Sequence, residues 1–257
     1  MMKAVRDLIV VRNTVLNAEH YLLELKSQEA LPEILPGQFV EVRIDGSDRV
    51  FLRRPISIHD CNLQERTLTL LIKKAGKGTR FLSAITPGTP INIMFPLGNG
   101  FDLEVTGKVL LVGGGCGVAP LLYLSKKLSE RKIEQEILLG ARSAEGLMEV
   151  EAYQKYGKVL LTTDDGSAGE KGLVTGHPVW DSVQNFKRIY CCGPEVMMKA
   201  VARVATQQGI PCFVSLENTM ACGIGACLCC VTETVRGNEC VCTSGPVFNI
   251  NELKWQI

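Results

Sequence analysis

The chain has 257 residues, 46% of them hydrophobic and 21% charged, with a formal net charge of +1. That is the balance of a soluble globular protein, with no electrostatic reason to bind nucleic acid or a membrane surface and no apolar run approaching the ~18–20 residues of a membrane-crossing helix. Eleven cysteines, an odd number, and an opening Met-Met-Lys-Ala-Val-Arg-Asp without a secretory signal argue against a disulfide framework and for a cytoplasmic setting, where thiols ligate metal.

In chain order, residues 5–13 and 18–25 alternate apolar and polar side chains. Residues 37–43 (Gly-Gln-Phe-Val-Glu-Val-Arg) follow Pro36 with Phe39, Glu41 and Arg43 on one face. Residues 51–59, 67–73 and 90–95 continue the series, so short strands at near-regular spacing predict a small antiparallel barrel. A short helix is expected over 78–82. The pattern changes near Gly107, where residues 108–112 (Lys-Val-Leu-Leu-Val) read as a strand buried on both faces. A helix over 120–130, a strand over 136–140 and a helix at about 149–156 follow. Strands over 159–163 and 188–192, a helix over 194–208 and a strand over 212–216 complete the series. Strands alternating with helices predict a parallel sheet with right-handed crossovers. The rest of the chain is expected to hold little regular structure. The fold class is therefore multi-domain, a β-barrel followed by α/β and a small C-terminal unit.

Between the buried strand and its helix lies Gly113-Gly-Gly-Cys-Gly-Val-Ala-Pro120. It fits Gly115-x-Gly117-x-x-Pro120, with proline where a dinucleotide fingerprint has its third glycine. Proline suits the first helical turn, glycines let the chain approach a pyrophosphate, and a helix N-terminus favours its charge. Arg53-Arg54-Pro55-Ile56-Ser57 lies at the end of a barrel strand, and an Arg fork suits a diphosphate. Gly76-Lys77-Gly78-Thr79 offers further amides for the same anion. Thr162-Thr-Asp164-Asp165-Gly-Ser167 follows a parallel strand. Carboxylates beside an adenosine ribose would favour its hydroxyls and repel a 2′-phosphate, which points to NAD over NADP.

The C-terminal segment carries Cys222-x4-Cys227-x2-Cys230 and then Cys242. This is the ligand spacing of a plant-type [2Fe–2S] cluster. Gly223 and Gly225, inside the first gap, permit the unusual dihedrals of a loop wrapped round an inorganic core. A zinc site that staples a non-catalytic binding module is the alternative, but zinc knuckles pair two short Cys-x2-4-Cys units. Cys229 would leave only one residue after Cys227. Cys240 is not excluded by register; Cys242 is preferred because Cys-Thr-Ser-Gly-Pro starts a turn there. His20, His59 and His177 have no mutual spacing suited to a metal or a triad, and Cys116, Cys191 and Cys192 have no assigned role.

Arg-Pro-Ile-Ser at 54–57, Gly-Lys-Gly-Thr at 76–79, Pro-Leu-Gly-Asn-Gly-Phe at 96–101, Gly-Cys-Gly-Val-Ala-Pro at 115–120 and Cys-Gly-Pro at 192–194 together resemble the ferredoxin reductase superfamily in order and spacing. The stretches from Met220 to Cys227 and from Cys242 to Phe248 are similar to those of the electron-transfer subunits of NAD-dependent (class B) dihydroorotate dehydrogenases. The resemblance spans essentially the whole chain. It implies an FAD-binding β-barrel at 1–103, an NAD-binding α/β domain at 104–212 and a [2Fe–2S] domain at 213–257. It further implies one FAD and one cluster per subunit, with NAD as substrate. Arg54, Pro55, Ile56 and Ser57 would contact the flavin, Leu71, Ile72 and Lys73 would line its ring and ribityl chain, and Gly78 and Thr79 would hold phosphate. The resemblance also settles the fourth cluster ligand on Cys242. The implied partner is an FMN-containing dihydroorotate dehydrogenase catalytic subunit, in a heterotetramer of two subunits of each kind, serving pyrimidine biosynthesis. The small subunit of a sulfide dehydrogenase or of an NADH-dependent ferredoxin–NADP oxidoreductase is the alternative within the same layout. Cys116 departs from the superfamily, which usually has a non-thiol residue there.

Overall fold

The computed structural model describes residues 3–46 and 50–256. Strands β1 (Ala4–Val15), β2 (His20–Lys26), β3 (Phe39–Val42), β4 (Arg54–Asn62) and β5 (Thr67–Lys73), helix α1 (Lys77–Leu82) and strand β6 (Pro90–Leu97) form the first half. The strands close into an antiparallel barrel in the order β1-β2-β5-β4-β3-β6. Alternation is the cause: Tyr21, Leu23 and Leu25 of β2 and Leu68 and Leu70 of β5 point inward and are fully buried. In β3, Val40 and Val42 enter the barrel core, so Phe39 and Glu41 face outward on a common side, as expected. The strand ends at Val42, and Arg43 is exposed. Phe39 and Glu41 are nevertheless buried, because the C-terminal segment covers that side of the barrel.

The second half contains β7 (Val109–Gly114), α2 (Ala119–Glu130), β8 (Gln135–Ala141), α3 (Val150–Gln154), β9 (Lys158–Thr163), β10 (Glu170–Lys171), β11 (Arg188–Cys192), α4 (Glu195–Gln207) and β12 (Cys212–Ser215). Val109 to Val112 are all fully buried, as a central strand covered on both faces must be. Beyond β12 come β13 (Val231–Thr234), β14 (Gly237–Cys240), α5 (Val241–Ser244) and β15 (Val247–Asn249). This corrects the expectation of little regular structure there. β13 and β14 form a hairpin, and β15 joins the sheet. The expectation failed because the strands are only three or four residues long and too short to show periodicity.

The sheet order is β10-β9-β8-β7-β11-β12-β15, parallel throughout except for β12–β15. The chain leaves β7 in one direction towards β8 and β9 and returns on its other side at β11. The order therefore reverses between β7 and β11, which places a crevice at their C-terminal ends. α2 holds the sheet against the barrel: Tyr123 packs into the barrel core and donates its hydroxyl to Ile34 O at 3.2 Å, and Lys126 pairs with Asp60 at 2.9 Å. Buried His59 of β4 lies 2.9 Å from Ala119 O at the start of α2.

Candidate redox site

At the start of β4, Arg54 to Ser57 are half-buried, whereas Ile58 and His59, further along the strand, are buried. β3 holds this stretch in register, with Val42 opposite Arg54, Glu41 opposite Pro55 and Phe39 opposite Ser57. The two adjacent arginines diverge. Arg53 turns into the barrel wall, donating to Glu41 O at 3.1 Å and to the Asn92 side chain at 2.6 Å. Arg54 lies over the start of α1, so close that a Cβ on Gly78 would stand 3.0 Å from its Nε. The Arg-Pro-Ile-Ser and Gly-Lys-Gly-Thr stretches thus meet through Arg54 and Gly78. Thr79 is buried; its hydroxyl donates to Gly76 O, accepts from Gly76 N–H, and its carbonyl accepts from the Tyr21 hydroxyl at 2.7 Å. Leu71 and Ile72 are buried beneath, and Lys73 pairs with Glu19 at 3.4 Å. A guanidinium beside glycine backbone, on an otherwise apolar strand end, fits a flavin diphosphate and ring.

A cavity of about 1170 Å³ occupies the crevice at the C-terminal ends of β7 and β11. Gly115, with φ +54, and Gly117 line it. A Cβ on Gly117 would meet Cys192 O and Gly193 at 2.4 Å, so only glycine lets these two turns touch. Asp164 lines the cavity. Asp165 does not: it caps its own turn, accepting from the Ser167 hydroxyl at 2.6 Å and from Ser167 N–H at 2.9 Å. On the barrel side the wall includes His20 and Lys73. Burial, then the nearby Lys73 ammonium, hold His20 below the ordinary histidine range. Glu217 also opens on the cavity, its carboxyl raised by desolvation and lowered in part by Lys73. Sequence patterns alone miss Glu217, which no local motif marks. Cys192 is buried, with its thiol towards Ser215 O at 3.4 Å.

The loop after Glu217 carries Cys222, Cys227 and Cys230, and α5, after the β13–β14 hairpin, brings Cys242 to them. Main-chain amides point at their sulfurs: Ile224 N–H and Cys227 N–H lie 3.5 and 3.4 Å from Cys222 Sγ, Gly225 N–H 3.1 Å from Cys242 Sγ, and Cys242 N–H 3.4 Å from Cys230 Sγ. Gly223 and Gly225, at φ +68 and +82, make this possible. The amide of Ile224, helped by that of Cys227, draws the Cys222 thiol down to about 6. Cys222 neighbours Cys227, and Cys230 neighbours Cys242. Among the described residues no three His, Cys, Asp or Glu side chains surround one ion position. Four cysteines at this spacing, with main-chain amides aimed at three of their sulfurs, fit a [2Fe–2S] core. Cys240, half-buried at the N-cap of α5, also reaches the Cys230 sulfur; Cys229 is exposed.

Glu41, to which the sequence motifs assign no role, stands between the two redox regions. It is fully buried, neither carboxylate oxygen has a hydrogen-bond partner, and desolvation pushes it up to about 7 against Arg53. Its one visible signal is a charged residue in the otherwise apolar stretch Phe39-Val-Glu-Val42.

A flavin-type barrel, a parallel sheet with a cavity at its switch point and an amide-lined four-cysteine loop define an NAD-linked flavin and iron–sulfur oxidoreductase subunit of ferredoxin reductase type. The family model described as the iron–sulfur cluster binding domain of dihydroorotate dehydrogenase B matches residues 217–254, and an oxidoreductase NAD-binding domain matches residues 111–203. The dihydroorotate dehydrogenase B (NAD(+)) electron transfer subunit of Fusobacterium nucleatum is 38% identical over 97% of this chain and 98% of its own length. That of Clostridium acetobutylicum is 40% identical over 91% and 90%. The solved structure of an NADH-dependent reduced ferredoxin–NADP oxidoreductase superposes with a TM-score of 0.87 at 32% identity, covering 96% of this chain and 90% of its counterpart. The chain belongs to the family of dihydroorotate dehydrogenase B electron transfer subunits.

Proposed function

We infer that the chain serves as the electron transfer subunit of an NAD-dependent dihydroorotate dehydrogenase, beside an FMN-containing catalytic subunit that oxidises dihydroorotate in pyrimidine (UMP) biosynthesis. When bound, FAD and the [2Fe–2S] cluster supply the interconversion of single electrons and the electron pair of a hydride, with NAD+ as acceptor. The observation that carries the reading is the position of β3. Its Glu41 pairs with Pro55 of the flavin strand and packs against Gly223 of the cysteine loop. One strand therefore joins the two cofactor regions without an intervening layer.

The chain's own residues hold and shield. Arg54 supplies the positive charge for the flavin diphosphate, with Gly78 and Thr79 at the same phosphate. Pro55, Ile56, Ser57, Leu71, Ile72 and Lys73 form the surface for the ring and ribityl chain. Gly115 and Gly117 let a dinucleotide approach the cavity floor, and Asp164 faces its ribose end. Asp165, tied to Ser167, supports that turn. Cys222, Cys227, Cys230 and Cys242 hold the irons, and the loop amides offset the charge on their sulfurs. Phe39 and Leu97 of the barrel share one buried cluster with Met220, Cys242 and Phe248, which keeps water from the seam. Ile224, Cys227 and Leu228 stay exposed, leaving the loop open to the partner.

A two-plus-two heterotetramer and a cytoplasmic location belong to the same reading; among the described residues no helix is long and apolar enough to cross a membrane. The match of the iron–sulfur segment favours it over the ferredoxin–NADP oxidoreductase to which the fold is also similar. The test is reconstitution. The holoprotein alone is expected to oxidise NADH with a dye, and dihydroorotate turnover is expected only after the FMN subunit is added. A chain that purifies colourless even after anaerobic reconstitution would refute the reading.

A further inference from the structure

The cavity at the switch point has a wall that the nucleotide-type sheet does not supply. Thr232 of β13 and Trp255 line it together with Val196 and Ala200 of α4, yet both come from the segment that carries the cysteines. Trp255 is half-buried and held in place. The Lys199 ammonium stands 5.7 Å from its ring centroid and pairs with Glu195 at 2.6 Å, and Glu195 itself lines the cavity. The main chain before the indole is pinned to β13: Lys254 N–H donates to Glu233 O at 3.2 Å, and Leu253 bridges to Thr234. A large ring already fixed at a cavity rim gives contact area at little further cost in conformational entropy.

Its neighbours locate it along the cavity. Arg142 and Asp164 mark the β8–β9 end, and Gly115 and Gly117 follow β7. Trp255 stands instead with α4, which follows β11 on the opposite side of β7. A dinucleotide whose pyrophosphate sits at the glycine turn, with its adenosine towards Asp164, directs its other half to Trp255.

We propose that Trp255 is a dinucleotide-binding residue contacting the nicotinamide riboside half of NAD, so that the iron–sulfur segment closes the cavity over the reactive end of the nucleotide. The proposal rests on the reading of this cavity as the NAD site. It makes residues 217–255 serve two ligands at once, and it ties dinucleotide affinity to the fold of the cysteine segment.

The experiment is isothermal titration of the holoprotein with NAD+ and, separately, with AMP. Trp255→Ala is expected to weaken NAD+ binding about three- to tenfold, as for loss of one aromatic contact, and to leave AMP binding as it was. Trp255→Leu keeps the apolar packing without the ring; it is expected to show the same split and decides the matter should the alanine variant lose flavin or iron. Unchanged NAD+ affinity in a variant with full flavin and iron overturns the proposal. So does equal weakening of NAD+ and AMP, because that reports a general collapse of the cavity. Wild-type holoprotein that binds neither nucleotide sinks the reading of the cavity as an NAD site instead.

Discussion

Glu41 and Gly223 are packed so closely that a Cβ on Gly223 would stand 2.7 Å from Glu41 Cγ and 3.1 Å from Leu97 Cδ1. Gly223 also has φ +68, a conformation that costs an ordinary residue roughly 1–2 kcal/mol. Gly223→Ala therefore has to lift the cysteine loop off the barrel. The expected result is loss of most iron and labile sulfide with flavin retained, read as the iron-to-flavin ratio. A variant with the wild-type ratio would remove the seam between β3 and the loop from the account.

The fourth ligand is open to a direct comparison. Cys242 is buried and its sulfur accepts from Gly225 N–H at 3.1 Å; Cys240 is half-buried and receives no such amide. Cys242→Ser is expected to bleach the cluster absorbance, and Cys240→Ser to keep it. The reverse pattern would move the ligand to Cys240.

Arg53 and Arg54 are neighbours with different work. Arg54→Ala removes the guanidinium that faces Gly78, and FAD affinity is expected to fall about tenfold or more, the scale of a lost charge-assisted hydrogen bond. Arg53→Ala breaks bonds to Glu41 O and Asn92 inside the barrel wall, so a lower melting temperature is expected with a smaller change in FAD affinity. Ultrafiltration of the flavin and a thermal melt separate the two. Equal FAD affinity in both variants would clear Arg54 of the diphosphate role.

His20 sets a pH dependence. Its folded pKa lies below the unfolded value because burial, and then Lys73, penalise the cation. Below about 6.5 the unfolded chain takes up a proton that the folded one refuses, so stability is lost as pH falls towards the folded value. His20→Gln is expected to flatten the decline in melting temperature as pH falls below about 6.5. Parallel wild-type and variant curves would show that His20 does not contribute.

The barrel strands, the buried run at β7 and the cysteine spacing were all legible in the chain, because each depends on local periodicity or ligand spacing. Alternation along β2 places Tyr21, Leu23 and Leu25 inside wherever the strand packs, and four apolar residues in a row have to be covered twice. Which side of the barrel would be covered, and by what, was not legible. Arg53 and Arg54 carry the same charge one residue apart, yet only the pleat and the position of Asn92 send one into the wall and the other to Gly78. Asp164 and Asp165 part in the same way, one in the cavity and one bound to Ser167.

Glu41 meets the cysteine loop, and Glu217 and Trp255 line the cavity, only through contacts between residues far apart in sequence, and no pattern within a few positions can report such a contact. Local sequence was thus enough to nominate groups for the chemistry: cysteines at a cluster's spacing, glycines at a turn, an arginine at a strand end. The closed fold decided their company, by bringing β3 under the cysteine loop and the C-terminal segment to the rim of the cavity. Burial and electrostatic contact are properties of neighbours in space, fixed only once the chain has packed.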